Sequence, residues 1–164
     1  MTSRTFASWM EPIAAQFCDT RAELVAAARA MPEEAWARPS PNEGWTYKDL
    51  LAHVAGDTDK NFLRVVRDVL DREPVDLATF TTGVDERNAR NIEERRGRTI
   101  DELIAEIEAD GEEAQELLAR FTAADENWQP EGLPTTVANG LRSIAGGHER
   151  EHTAHLRAAL KARA

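Results

Sequence analysis

Gly146-Gly147-His148-Glu149-Arg150-Glu151-His152-Thr153-Ala154-His155 places three of the chain's four histidines within eight residues. The run reads as part of a helix. At about 100° per residue, with His148 at zero, Val137, Leu141, Ile144, His148, His152, His155 and Ala159 fall within about 40° of one line. An apolar stripe therefore runs into imidazoles, and buried ring nitrogens need partners. Two histidines four apart on one helix face stand about 5–6 Å apart at Cβ, a spacing that suits chelation of one metal ion. A third ligand must come from another element, and the remaining histidine is His53.

Composition narrows the setting. A chain of 164 residues is expected to form one domain, residues 1–164, with a core large enough to need no staples. The 20 Lys and Arg against 30 Asp and Glu leave a formal charge of −10, which disfavours nucleic acid and anionic membrane surfaces as partners. No apolar run approaches the roughly 20 residues of a membrane span, and Met1-Thr2-Ser3-Arg4 leads into no signal-like apolar region, so a cytoplasmic protein is expected. The single cysteine, Cys18, excludes an internal disulfide and receives no role.

Upstream, Phe6, Met10, Ile13, Phe17, Leu24, Ala28 and Met31 keep a helical period broken only by Thr20, which predicts a core-facing first helix. Ser8-Trp9-Met10-Glu11 has the form of a capping box, with Pro12 in the first turn. A single helical turn at Pro32–Trp36 and a turn-rich connection at 38–44 follow. The second long helix opens at Thr46-Tyr47-Lys48-Asp49 and is expected to run to about Arg72. Leu51, Val54, Phe62, Val65 and Val69 mark its buried face. Leu50, His53, Asp57 and Asn61 form a stripe at its edge, so His53 is expected at the margin of the core.

A short turn at Leu77–Phe80 and a polar helix over 84–96, with Asn88, Asn91 and Ile92 facing inward, lead to the capping box Thr99-Ile100-Asp101-Glu102. The third long helix carries Leu103, Ile107, Ala114, Leu117 and Phe121. Its acids Glu106, Glu108, Glu112 and Glu113 read as a solvated face, and Gly111 as a bend or a close contact. Thr135-Thr136 is expected to cap one final helix extending to about Lys161. Four long amphipathic helices predict an all-α, antiparallel four-helix bundle with ligand sites between facing helices. His53 and His148 would lie roughly 10 and 18 Å from the starts of their helices, compatible with one level if those helices are adjacent and offset or parallel.

The order Gly44-Trp45-Thr46-Tyr47-Lys48-Asp49-Leu50-Leu51-Ala52-His53, a long gap, and His148-Glu149-Arg150-Glu151-His152 resembles the DinB/YfiT-like superfamily, which includes the N-terminal domain of mycothiol-dependent maleylpyruvate isomerases. The resemblance covers nearly the whole chain. It implies a four-helix bundle holding Zn²⁺ or Ni²⁺ on one second-helix histidine and two last-helix ligands, here His53, His148 and His152. The isomerase branch uses Glu and His in the last helix, and Glu151 with His155 supplies that pair in another register. The histidine pair is preferred because Glu151 lies about 60° off the stripe.

The resemblance further implies a metal-dependent S-transferase or isomerase that uses a low-molecular-weight thiol on a small electrophile, with a homodimer among the expectations. A metal-dependent hydrolase and a non-catalytic metal or small-ligand sequestration protein stand as alternatives, since fold and metal do not choose the substrate. Asp57, one turn after His53, is the candidate to orient a ligand or accept a proton, against the plainer reading of a solvated carboxylate. Gly146 and Gly147 imply room for a ligand or a close helix approach. Trp45 and Tyr47 either line the pocket or pack helix ends.

Overall fold

A computed structural model describes residues 4–57 and 62–161. The chain is all-helical: α1 (Glu11–Ala30), α2 (Tyr47–Asp57), α3 (Phe62–Asp71), α4 (Val84–Arg95), α5 (Ile100–Leu118), α6 (Val137–Ile144) and α7 (Gly147–Lys161). Short 3₁₀ turns at Glu33–Ala35, Leu77–Phe80 and Ala123–Asp125 punctuate the connections. Residues 58–61, within the expected second long helix, lie outside the described residues, as does Asn61 of its edge stripe. No helix among the described residues is long and apolar enough to cross a membrane.

The four-sided bundle is built from α1, α2 with α3, α5, and α6 with α7. α1 and α2 each pack against both α5 and α7, so α1 faces α2 across the bundle. Side-chain pairings give the directions. Arg4, just before α1, reaches Glu112 and Glu116 late in α5, whereas Arg29 at the end of α1 reaches Glu108, so α1 and α5 are antiparallel. Gln16 meets Ala145 and Glu23 meets Arg157, so α7 runs alongside α1 in the same sense. Phe17 stacks on Phe62 at 4.7 Å, while Met31 and Trp36 share a cluster with Tyr47, so α2 and α3 run opposite to α1 and therefore to α7.

Local chemistry explains most boundaries. Thr46 and Asp49 cap α2 reciprocally: Asp49 N–H donates to Thr46 Oγ1 at 3.2 Å and Thr46 N–H to Asp49 Oδ2 at 2.9 Å. The capping box at Thr99 and Glu102 forms as its spacing predicts. The one expected at Ser8 and Glu11 does not: α1 starts from Met10 with no side-chain cap, and Met10 N–H instead bonds Ala7 C=O at 2.8 Å. Met10 itself is fully buried, so packing rather than a cap sets this helix start.

The largest departure is in the last helix, which is two helices. Ala145 is extended (ψ 116°) and Gly146 is left-handed (φ +67°), so α6 stops and α7 restarts after these two residues. A Cβ on Gly146 would stand 2.1 Å from Thr20 Oγ1, so the break lets the chain press backbone against α1. Of the two glycines expected to give room for a ligand or a close helix approach, Gly146 makes such an approach, whereas a Cβ on Gly147 would meet only Arg150 Nη2, at 4.0 Å. The acids of α5 also differ from a simple solvated face. Glu106 bridges Arg95 at 2.6 Å and Arg98 at 2.7 Å, and Glu108, Glu112 and Glu113 pair with Arg29, Arg4 and Arg67.

The core is two apolar clusters stacked along the bundle. One gathers Met10, Phe17, Phe62, Val65, Val69, Leu118 and Leu141, the other Leu24, Leu50, Leu51, Leu103, Ile107 and Leu156. Fully burying each such side chain contributes about 1.5–3 kcal/mol. Between the clusters runs a polar layer. On α1 it is Thr20 and Arg21, between Phe17 and Leu24; on α7 it is Glu149, His152 and Thr153, between Ala145 and Leu156. All five are buried, and His53 of α2 joins them at 5% exposure. Burying polar groups at mid-bundle costs stability unless they are paired, so this layer is where function is to be sought.

Candidate metal centre

Three imidazoles meet in that layer. His53 Nε2 lies 2.8 Å from His148 Nε2, and His152 Nε2 lies 2.9 Å from the same atom. The rings of His148 and His152 stand perpendicular, at 90°, and that of His53 at 85° to His148. Ligand atoms of the three residues fall within 4.8 Å of one another. His53 was expected at the rim of the core. It is buried instead, because α7 covers one side and Trp45 lies 5.0 Å away, ring to ring, on another.

The elements that aim these rings follow from sequence. Trp45 is the last residue of a tight connection in which Ser40 N–H bonds Trp45 C=O at 2.8 Å and Trp45 N–H bonds Asn42 C=O at 3.1 Å. Lys48 N–H reaches Trp36 C=O at 3.0 Å, tying the first turn of α2 to the end of the connection from α1. His53 then follows almost two turns into α2. Because α7 starts afresh at Gly147, His148 sits in its first turn and His152 one turn on. The level match is thus made by an antiparallel neighbour with a break, not by an uninterrupted helix.

The donor set fits a divalent ion. At Zn–N distances of about 2.0–2.1 Å, tetrahedral ligand nitrogens stand roughly 3.3 Å apart. The two separations at His148 Nε2 are a few tenths of an ångström shorter, and all three ligand atoms fall within 4.8 Å of one another, so ring rotations bring the set onto one ion. Without an ion, His148 Nε2 faces two other ring nitrogens while carrying a single proton or a single lone pair, so it cannot make a good hydrogen bond with both. Burial, followed by the neighbouring imidazoles, pushes His152 from 6.5 down to about 2. His152 is therefore neutral at ordinary pH, the form that binds metal.

The other sequence candidates separate clearly. His155 lies one turn beyond, its ring centroid 5.6 Å from that of His152, and is not part of the three-ring cluster. Glu151 is exposed and stands on the wall of the adjoining cleft. Asp57 ends α2 one turn past His53, and its side chain lies outside the described residues. Trp45 lines the cleft, whereas Tyr47 packs into the second core cluster. Cys18 is half-buried away from the histidines, and burial raises its thiol.

The cleft has a volume of about 340 Å³ and reaches His53, His148 and His152. Its remaining wall comes from Asn42, Phe80, Val84 and Arg87, which no motif marked, and from Asn88 of the inward stripe. The last three sit on α4, which presses so closely on α2 that a Cβ on Gly56 would lie 2.9 Å from Asn91 Cβ. An inward stripe on α4 was visible, but its destination over the histidines required the packed structure. Arg87 is the one Lys or Arg among the described residues of this wall, and its Nη1 donates to Thr82 C=O at 3.3 Å.

Residues 17–159 match the family model of the mycothiol maleylpyruvate isomerase N-terminal domain. The chain belongs to that family. It is a DinB/YfiT-like domain, and the match spans α1 from its second turn through nearly all of α7. No curated protein and no solved structure matches the chain. Family membership and the histidine cluster together point to metal binding at this layer.

Proposed function

We propose that His53, His148 and His152 hold one divalent metal ion, Zn²⁺ or Ni²⁺, and that the chain is a metal-dependent S-transferase or isomerase. It would pair a low-molecular-weight thiol with a small electrophile. The observation that carries this reading is the convergence of three Nε2 atoms from two helices at a cleft of small-molecule size. The family's name, which joins mycothiol to an isomerisation, supports the choice of chemistry.

A divalent ion on three neutral ligands would keep an open position and its full charge, which favours ionisation of a bound thiol. The chain's own residues do the rest. His53, His148 and His152 present Nε2, and the burial of His152 keeps its lone pair available. Trp45 shields His53 from water. Phe80 and Val84 supply apolar wall, while Asn42, Asn88 and Arg87 offer hydrogen-bonding groups to orient a polar or anionic substrate. Arg87 would hold a substrate carboxylate more firmly than a lysine could, because its planar fork matches two oxygens.

A Co²⁺-substituted sample tests the reading. Addition of mycothiol, bacillithiol or glutathione should bring up a sulfur-to-metal charge-transfer band, and the thiol that does so identifies the cosubstrate. Metal bound at one equivalent with no band from any thiol would remove the thiol chemistry and favour hydrolysis or sequestration. No metal bound at all would remove the whole reading.

A further inference from the structure

The buried polar layer contains an ion pair that lies outside the histidine cluster and its cleft. Arg21 on α1 is 5% exposed and Glu149 on α7 is 6% exposed. Arg21 Nη2 lies 3.5 Å from Glu149 Oε1, and Arg21 Nη1 donates to Ile107 C=O of α5. Arg21 therefore ties three helices together at the level of the histidines. Space for it is made by Gly111, whose added Cβ would stand 3.2 Å from Arg21 Cδ. Its guanidinium also lies 4.9 Å from the centre of the Phe17 ring.

Stability does not account for the pair. Two buried charges give up hydration, and well-packed apolar replacements for such pairs are often neutral or stabilising. Position accounts for it better. After the break at Ala145 and Gly146, α7 does not inherit its rotation from α6 through an unbroken helix. That rotation is set by a strip of α1: Gln16 Nε2 donates to Ala145 C=O at 2.6 Å, Thr20 abuts Gly146, and Arg21 engages Glu149. Glu149 is the residue next to His148, about 100° around the helix. Holding Glu149 on α1 therefore turns His148, and His152 with it, toward His53 on α2. A rotation of about 20° at the helix radius of roughly 2.3 Å would move each Cα by about 0.8 Å, and its ring nitrogens by more.

We propose that Arg21 and Glu149 are positioning residues for the histidine cluster, locking the first turn of α7 in the rotation that brings three Nε2 atoms together. The proposal rests on the metal-binding reading for its consequence but not for its geometry, and the test separates the two. The double variant Arg21→Met with Glu149→Leu removes both charges of the pair, and Asp110 loses its attraction to Arg21. Its metal-free form should melt at or above the parent's temperature, while its affinity for Co²⁺ falls about 10–100-fold and its d–d spectrum changes. Independently of metal, backbone amides of residues 150–153 should exchange with deuterium about tenfold faster or more, because the turn is no longer clamped. Arg21→Lys, which keeps the charge but loses the fork, serves if the double variant does not fold. It should fold and lose part of the affinity.

A double variant with lower melting temperature, unchanged Co²⁺ affinity and unchanged exchange would overturn the proposal and make the pair merely structural. A parent that binds no metal would sink the metal-binding reading alone. The exchange measurement would then decide the positioning role by itself.

Discussion

His53 Nε2 and His148 Nε2 stand 2.8 Å apart across 95 positions of sequence, and His152 Nε2 is 2.9 Å from the same His148 atom. His148 is thus the hub of the cluster. Replacing His148 with Ala should abolish stoichiometric binding of Zn²⁺ or Co²⁺, and His53→Ala and His152→Ala should each weaken it by more than the roughly 10–100-fold that loss of a supporting contact costs. His155→Ala should leave binding nearly intact. Titration with elemental analysis checks all four, and loss on His155→Ala with retention on His148→Ala would move the site to the other register.

Acid should undo the site through His152. Its pKa is lowered in the folded chain, so between 6.5 and about 2 the unfolded chain takes up the proton first. The stability this residue contributes by staying neutral is fully present above pH 6.5 and is lost progressively as pH falls through that window. The metal-free protein should therefore melt lower at pH 5 than at pH 7.5. The extra stability conferred by bound metal should shrink over the same range, because protons compete for the same nitrogens. His152→Leu should flatten the pH dependence of the metal-free protein; an unchanged slope would assign it to other groups.

Gly146 should tolerate no side chain. Its φ of +67° disfavours any L residue by about 1–2 kcal/mol, and an added Cβ would meet Thr20 Oγ1 at 2.1 Å. Gly146→Ala is expected to destabilise the fold by about 2–4 kcal/mol, read by urea unfolding. Combining it with Thr20→Gly should recover the steric part and not the backbone part. Full recovery would mean that the left-handed conformation carries no cost.

Arg87 should act on substrate rather than on metal. Arg87→Met should leave Co²⁺ affinity and melting temperature nearly unchanged, since the hydrogen bond of its side chain is a 3.3 Å contact to Thr82 and its backbone bond to Gly83 does not depend on the side chain. With an anionic electrophile, KM should rise by the equivalent of about 1.5–3 kcal/mol for loss of a charged hydrogen bond. An uncharged ester of the same electrophile should be indifferent to the substitution. Equal effects on both would remove Arg87 from substrate recognition.

Much was legible from the chain alone, for local reasons. Periodic apolar residues mark the long helices, Thr46 with Asp49 and Thr99 with Glu102 announce two helix starts by hydrogen bonds that span three residues, and the stripe that turns from Leu141 and Ile144 into His148 and His152 marks the face of interest. These signals depend on neighbours within one or two turns. What only the tertiary structure decided depends on contacts between helices. It broke the last helix at Ala145 and Gly146, where the left-handed Gly146 packs its backbone against Thr20 of α1. It buried His53, which its own helix had placed at the edge, because α7 and Trp45 close over it. It also joined Arg21 to Glu149 across 128 positions and laid α4 over the histidines to complete the cleft. Periodicity tells a residue which side of its helix it occupies, and only packing tells it what stands opposite.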